Sequence, residues 1–226
     1  MRNRRLATLV LVCGLGLASS AVAQVTPVVA GDSITAVGIN AIIAAVNSVG
    51  ALQGNLDLPN TTPITGQVRV NGSRFLHSFG TRNTFLGWNT GNFTLTGSDN
   101  TAVGATALAG NTGGTANTAV GHAALLFNTD GSNNTAVGNL ALLGNTTGSE
   151  NTAVGEDALQ SNTDGIQNTG VGQDALRGNT TGQDNTAVGE DALRVNNGDA
   201  NTAVGEDALR ANTDGISNTA VGVDAL

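Results

Sequence analysis

The chain has 226 residues, with 32 Gly, only 3% aromatic side chains, and nine Lys and Arg against seventeen Asp and Glu, for a formal net charge of −8. Its one Cys, Cys13, sits in an N-terminal apolar run, so the rest of the chain has no disulfide, thiol nucleophile or cysteine metal site. The acidic balance argues against a nucleic-acid partner, because phosphate binding needs clustered cations.

The chain begins MRNRR, followed by an apolar run over 6–17 and the small-x-small sequence Ala21-Val22-Ala23. This predicts a secretory signal peptide over residues 1–23. The apolar run falls short of the roughly 20 residues a membrane span needs. Cleavage removes three Arg and leaves six against seventeen acidic side chains, a formal charge of −11. The product is expected to be secreted or held at the cell surface.

Residues 24–53 predict a short helix. Asp32 and Ser33 offer an N-cap, and Ile39, Ile42, Val46 and Val49 fall at heptad positions a and d. β-Branched residues at both positions favour three strands in a coiled coil; the alternative is an amphipathic helix packed on its own chain. Residues 54–65, with Pro59 and Pro63, read as a linker. Residues 66–99 predict a hairpin turning at Asn71-Gly72, then an aromatic capping coil. Phe75, Phe79, Phe85, Phe93 and Trp88 all fall there, and a ligand-stacking platform is the sharper alternative.

Residues 100–226 repeat the pentapeptide NTAVG. Copies start at Asn100, Asn117, Asn134, Asn151, Asn168, Asn185, Asn201 and Asn218, a period of 17 with one unit of 16. A degenerate copy, NTFLG, starts at Asn83. Such a period marks a solenoid, and 17 residues suit one β-coil. The fold class is therefore expected to be all-β: a β-solenoid of about eight to nine coils, roughly 40 Å long at about 4.8 Å per coil, preceded by the short helix.

Counting each unit from its first Asn, Gly at positions 5 and 15 is expected to form corners with positive φ. Asn at 1 and 12 is expected to stack into ladders. The unit 185–200 loses its residue within VNNGDA, so positions 11 to 17 read as a turn. The GEDALR stretch reads equally as a second strand or a helical turn. A helical turn would pair Glu190 with Arg194, Glu206 with Arg210 and Asp174 with Arg177.

Alternation along Thr-Ala-Val puts Thr and Val on one face and Ala on the other. The larger Val is expected inside, giving a core ladder of Val103, Val120, Val137, Val154, Val171, Val188, Val204 and Val221. The outward face is then a stripe of small side chains, Ala102, Ala119, Ala136, Ala153, Ala187, Ala203 and Ala220. With so thin a core, association of three chains along that stripe is expected.

The coil NTAVG…AL…NTTG resembles the head units of trimeric autotransporter adhesins, which read Ser-Val-Ala-Ile-Gly where this chain has Asn-Thr-Ala-Val-Gly. It is still more similar to the NTALG-type repeat regions of bacterial exported and tail-fibre-like proteins. The stretch RFLHSFG…NTFLG, residues 74 to 87, is similar to their entry segment. The resemblance covers residues 74–226 and implies a β-roll with positions 2 and 4 facing inward, a homotrimer, and adhesion at a surface. The unit here is longer than in the adhesin heads.

His77 and His122 have no nucleophile at a recognisable spacing, so no catalytic site and no cofactor are expected. The candidate metal residues are Asp157, Asp174, Asp191 and Asp207, all at position 7, a series that continues to Asp224. Stacked carboxylates suit Ca²⁺. The alternative is a solvated ladder balanced by Arg177, Arg194 and Arg210. Ice-binding solenoids project Thr outward, whereas the Thr at position 2 is expected inside with Val. The functional expectation is an exported structural or adhesive rod, self-associating and facing extracellular glycan or protein. The alternative is a specific binder of glycan, Ca²⁺ or ice through the acidic ladder or the aromatic cap.

Overall fold

A computed structural model describes residues 67–226. The expected signal peptide, the 24–53 helix with its heptads and the 54–65 linker lie outside the described residues. Strands β1 (Val68–Val70) and β2 (Ser73–His77) form an antiparallel hairpin. Its turn residues Asn71 and Gly72 have φ of 48° and 77°, the paired positive values that a two-residue hairpin turn favours. β2 then pairs antiparallel with β3 (Thr84–Leu86).

From β3 onward every pairing is parallel, one strand per coil. The strands are β4 (Thr101–Val103), β5 (Thr118–Val120), β6 (Thr135–Val137), β7 (Thr152–Val154), β8 (Thr169–Val171), β9 (Thr186–Val188), β10 (Thr202–Val204) and β11 (Thr219–Val221). All belong to one 11-stranded sheet in sequence order. Thr stands on Thr and Val on Val throughout, so about eight 17-residue coils stack as a β-solenoid. The ladder satisfies the backbone from both sides: Thr118 N donates to Asn134 O at 2.8 Å, and Gly138 N donates to Val120 O at 2.8 Å.

Among the described residues there is no helix, and hence none long and apolar enough to cross a membrane. The GEDALR stretch is neither strand nor helical turn. Positions 7 and 9 both take left-handed backbone, as at Asp157 (φ 56°) and Leu159 (φ 52°), and that alternation fits neither regular form. The corner is built of tight turns, with Gln160 N donating to Asp157 O at 3.2 Å and Asn162 N to Leu159 O at 3.1 Å. It is also bonded between coils, with Leu159 N donating to Ala175 O at 2.9 Å and Asp157 N to Asn139 O at 3.0 Å. At position 5 the expected positive φ is present (Gly138, 144°). At position 15 glycine has a different cause. A Cβ on Gly131 would strike the Gly148 carbonyl and the Asn128 side chain, so close approach excludes it.

Two buried Asn ladders run the length of the stack. At position 12, Asn145 Nδ2 donates to Asn128 Oδ1 at 2.7 Å and to Gly148 O at 2.9 Å. At position 1, Asn134 N donates to Asn117 Oδ1 at 3.0 Å, and Asn134 Nδ2 donates to Gly148 O at 2.8 Å. Each amide thus joins its own coil to the next, which is how a stack with so little apolar volume satisfies its interior polar groups. In the short unit, Asn196 Nδ2 reaches Gly198 O two residues on, where Asn179 reaches Gly182 three residues on. Thr186 still pairs with Thr202, so the turn absorbs the deletion.

The apolar lumen corrects the expected inside and outside. Ala at positions 3 and 8 and Leu at position 9 are buried, while Val at position 4 faces out. Gly170, the one Gly at position 3 among these coils, gives the reason. A Cβ there would lie 3.1 Å from Ala175 O and 3.5 Å from Leu159 Cγ, so the site holds a methyl group and nothing larger. The Leu at 9 fills the lumen, and the strand must present its smallest side chain to it.

The entry coil makes the same point by exchange. Phe85 takes position 3 and Gly91 position 9, and a Cβ on Gly91 would come within 2.7 Å of the Phe85 ring. One ring occupies the space that Ala and Leu share elsewhere. His77 lies above it at 4.8 Å between centroids, beside Phe93 at 5.0 Å, and Phe79 meets Phe93 edge-on at 4.9 Å. Phe75 and Trp88 point outward instead.

Because each coil touches only its neighbours, deletion of residues 134–150 is expected to leave a folded, shorter rod. Deletion of 134–141 alone destroys the register of β6 and of Leu142, and is expected to abolish a cooperative melt. Circular dichroism on the two deletions checks this; equal melting behaviour would refute independent stacking.

Candidate functional site

The outer face of the sheet carries positions 2 and 4. Val103, Val120, Val137, Val154, Val188 and Val204 are each 36–38% exposed, Val171 is half-buried, and Val221 is open. These eight were expected to form the core. The seven Ala expected to form an outward stripe are instead interior: Ala102, Ala119, Ala136, Ala153, Ala187 and Ala203 are 0% exposed and Ala220 is 8%. They line the lumen and are unavailable to a partner. The pairing Leu76 with Leu86 and Leu86 with Val103 extends the Val row onto the hairpin. The result is one continuous aliphatic row from Leu76 to Val221, beside a row of Thr from Thr84 to Thr219, with no charged side chain in either.

The two kinds of repeated Thr differ. At position 13 the hydroxyl is used within the stack: Thr129 Oγ1 donates to Thr146 O at 3.0 Å and Thr163 Oγ1 to Thr180 O at 3.0 Å. At position 2 none of the nine hydroxyls, from Thr84 through Thr135 to Thr219, donates or accepts a hydrogen bond among the described residues. They face solvent as a regular row of unpartnered donors and acceptors.

The acidic ladder lies on the corner, away from that face. Arg177 pairs with Asp174 at 3.3 Å and Arg194 with Asp191 at 3.3 Å, while Arg210 bridges Asp191 and Asp207 at 3.2 Å each. The expected Asp174–Arg177 pair is thus present, although the corner is not helical. The i,i+4 Glu190 and Glu206 pairs expected of a helical turn are not among the ion pairs of the described residues. Asp157 contacts Gln160 instead, and its carboxyl is pushed up chiefly by burial, with Arg177 opposing. Among the described residues no three His, Cys, Asp or Glu side chains converge into a metal-sized group.

His77, 3% exposed, is the chemically distinctive residue of the cap. Its Nε2 lies 2.9 Å from Thr90 O and its Nδ1 faces the Phe79 N–H at 3.4 Å. That arrangement suits a neutral ring with the proton on Nε2, since a second proton would confront the Phe79 donor. Burial, foremost, and the nearby Arg74 charge lower its pKa, against an opposing contribution from Thr90 O. A lowered folded-state pKa means stability that is complete above the unfolded value near 6.5 and is lost as pH falls through the folded value. The melt is therefore expected to weaken from about pH 6.5 downward in the entry coil. His77→Gln, which cannot charge, is expected to remove that pH dependence in a scan from pH 7 to 5. The Arg82 ion pair, with a 2.7 Å bond, and Ser98 hold Asp99 at about 2, so its contribution is lost only at much lower pH. His122 is exposed and contacts Asn139 at 3.2 Å.

The fold and these surfaces define a repeat protein of the β-solenoid class, with one uncharged sheet face and an Arg-balanced acidic corner. No protein-family model, curated protein or solved structure matches the chain.

Proposed function

We propose that this chain is an exported structural rod that associates with copies of itself, as a homotrimer, and serves as an adhesive or fibre element at a surface. The observation that carries the reading is the aliphatic row from Leu76 to Val221 on an uncharged face. Soluble proteins rarely leave so continuous an apolar feature uncovered, and such features mark interaction sites. The row is one side chain wide and repeats once per coil, so it suits cyclic association about an axis along the rod. Three chains in the same direction bring three Val together in each layer, about 4.8 Å apart. The adjoining Thr row supplies a polar rim. The outward acidic corners then remain for contact with extracellular glycan or protein.

Light scattering on the full chain tests this, with a mass of three chains expected at micromolar concentration. Val137→Arg with Val154→Arg is expected to yield single chains that still melt cooperatively. A single-chain mass for the parent, or an unchanged trimer in the variant, would overturn the reading.

A second reading rests on the nine position-2 hydroxyls, which repeat in register and have no protein partner. Such a row orders water, and a monomeric rod bearing it would bind ice. Growth of shaped ice crystals by a monomeric parent, abolished by Thr135→Tyr with Thr152→Tyr, would select this alternative.

A further inference from the structure

The hairpin carries a feature that neither the repeats nor the proposed association uses. Arg69 and Arg74 are cross-strand partners in the β1–β2 register. Like charges placed directly opposite each other repel, and, after burial, the Arg69 charge lowers the Arg74 pKa. The two side chains line a cleft of about 400 Å³ with Ser73, Asn89 and Phe93, and no acidic side chain of the described residues lines it. That volume lies within the range of small-molecule sites.

Arg74 is held rigidly. Its guanidinium lies 4.7 Å from the centroid of the Phe93 ring, and its Nη2 donates to Gly91 O at 3.3 Å. Its Nε is buried without a hydrogen-bond partner. The other cations of the repeats are neutralised: Arg82, Arg177, Arg194 and Arg210 each pair with Asp. Arg74 makes no such pair. Burial first, and then Arg69, lower its pKa, which reports the cost of keeping this charge where it is. Arg69 is exposed and anchored by Gln67 Oε1 at 3.1 Å and Gly72 O at 3.0 Å, so it lies at the mouth of the cleft.

We propose that this cleft binds the oxyanion of a small ligand, a carboxylate or phosphate borne on a group about the size of one sugar ring. The anion lies against the Arg74 guanidinium, with Arg69 at the mouth of the cleft. The Arg74 fork supplies directional donors that a Lys could not. Ser73 and Asn89 offer hydroxyl and amide groups to the rest of the ligand.

Isothermal titration of the full chain with glucuronate, inorganic phosphate and glucose tests the assignment. Saturable binding of the charged probes is expected, with none of glucose. Tighter binding of glucuronate than of phosphate would assign the cleft to sugar acids, and the reverse order to phosphate groups. Arg74→Gln and, separately, the exposed Arg69→Gln are each expected to weaken binding about tenfold or more, whereas Arg82→Gln leaves it unchanged. Arg69→Gln keeps the test decisive if Arg74→Gln perturbs the hairpin. Absence of saturable binding by either charged probe at about 10 mM, or equal affinity in Arg69→Gln and the parent, would overturn the proposal.

Discussion

Ala136→Asp is expected to unfold the central coils, whereas Val137→Asp, one residue along, leaves them folded. Ala136 is fully buried between Ala119 and Ala153 in the parallel ladder. An Asp there would place a carboxylate in a lumen with room only for a methyl group and no cation to meet it. The expected cost is about 4 kcal/mol or more, from overpacking and an unpaired buried charge. Val137 points to solvent, so its replacement loses only strand preference, within about 1 kcal/mol. Urea melts at dilute protein concentration read both. Equal midpoints would refute the assignment of the Ala row to the lumen. In the proposed assembly Val137→Asp would act differently, because it puts repelling charges where the copies meet.

The second large effect is expected from Asn145→Ala. The Asn145 amide donates to Asn128 Oδ1 and Gly148 O, and its Oδ1 accepts from Asn162 Nδ2 at 2.8 Å. Truncation removes three buried hydrogen bonds and orphans Asn128 Oδ1, while Gly148 O keeps Asn134 Nδ2 and Asn162 Nδ2 keeps Gly165 O. A loss of about 3 kcal/mol is expected. The control is Thr147→Ala. That hydroxyl meets Asp164 at 2.6 Å on the exposed side of the turn and is expected to contribute less than about 1 kcal/mol. A melt of Asn145→Ala within 1 kcal/mol of the control would show that the amide ladder does not hold the coils together.

The inversion of inside and outside has a cue that is visible in the residues themselves. Position 3 is Ala in seven of the coils and Gly170 in the eighth, so it never grows. The coil that places Phe85 there has Gly91 where the others have Leu. Paired compensation of that kind is the mark of a filled lumen. A rule that simply sends the larger side chain inside overlooks it, because in so narrow a coil the Leu at position 9 has already taken the space. The corner at positions 6 to 9 was less legible. Asp157 tolerates left-handed backbone, but Leu159 has no such preference; the turn bonds of the corner and those to the coils on either side hold it there.

The clefted hairpin also divides between the two levels. Asn71-Gly72 announced the turn, since few residues accept two successive positive φ values. That Arg69 would stand opposite Arg74, and that Phe93 would come back beneath it, depends on pairings beyond the turn.

By itself the sequence determined the coil length, the stacking register and the two Asn ladders. A repeat of 17 places like on like, and only one coil per repeat can do so. Alternation also determined that Thr and Val share a face opposite Ala. Only the tertiary structure decided which of those faces is the lumen. That choice depends on how much volume the opposite wall leaves, a quantity set by Leu159 and its equivalents across the coil and written in no single stretch of the chain.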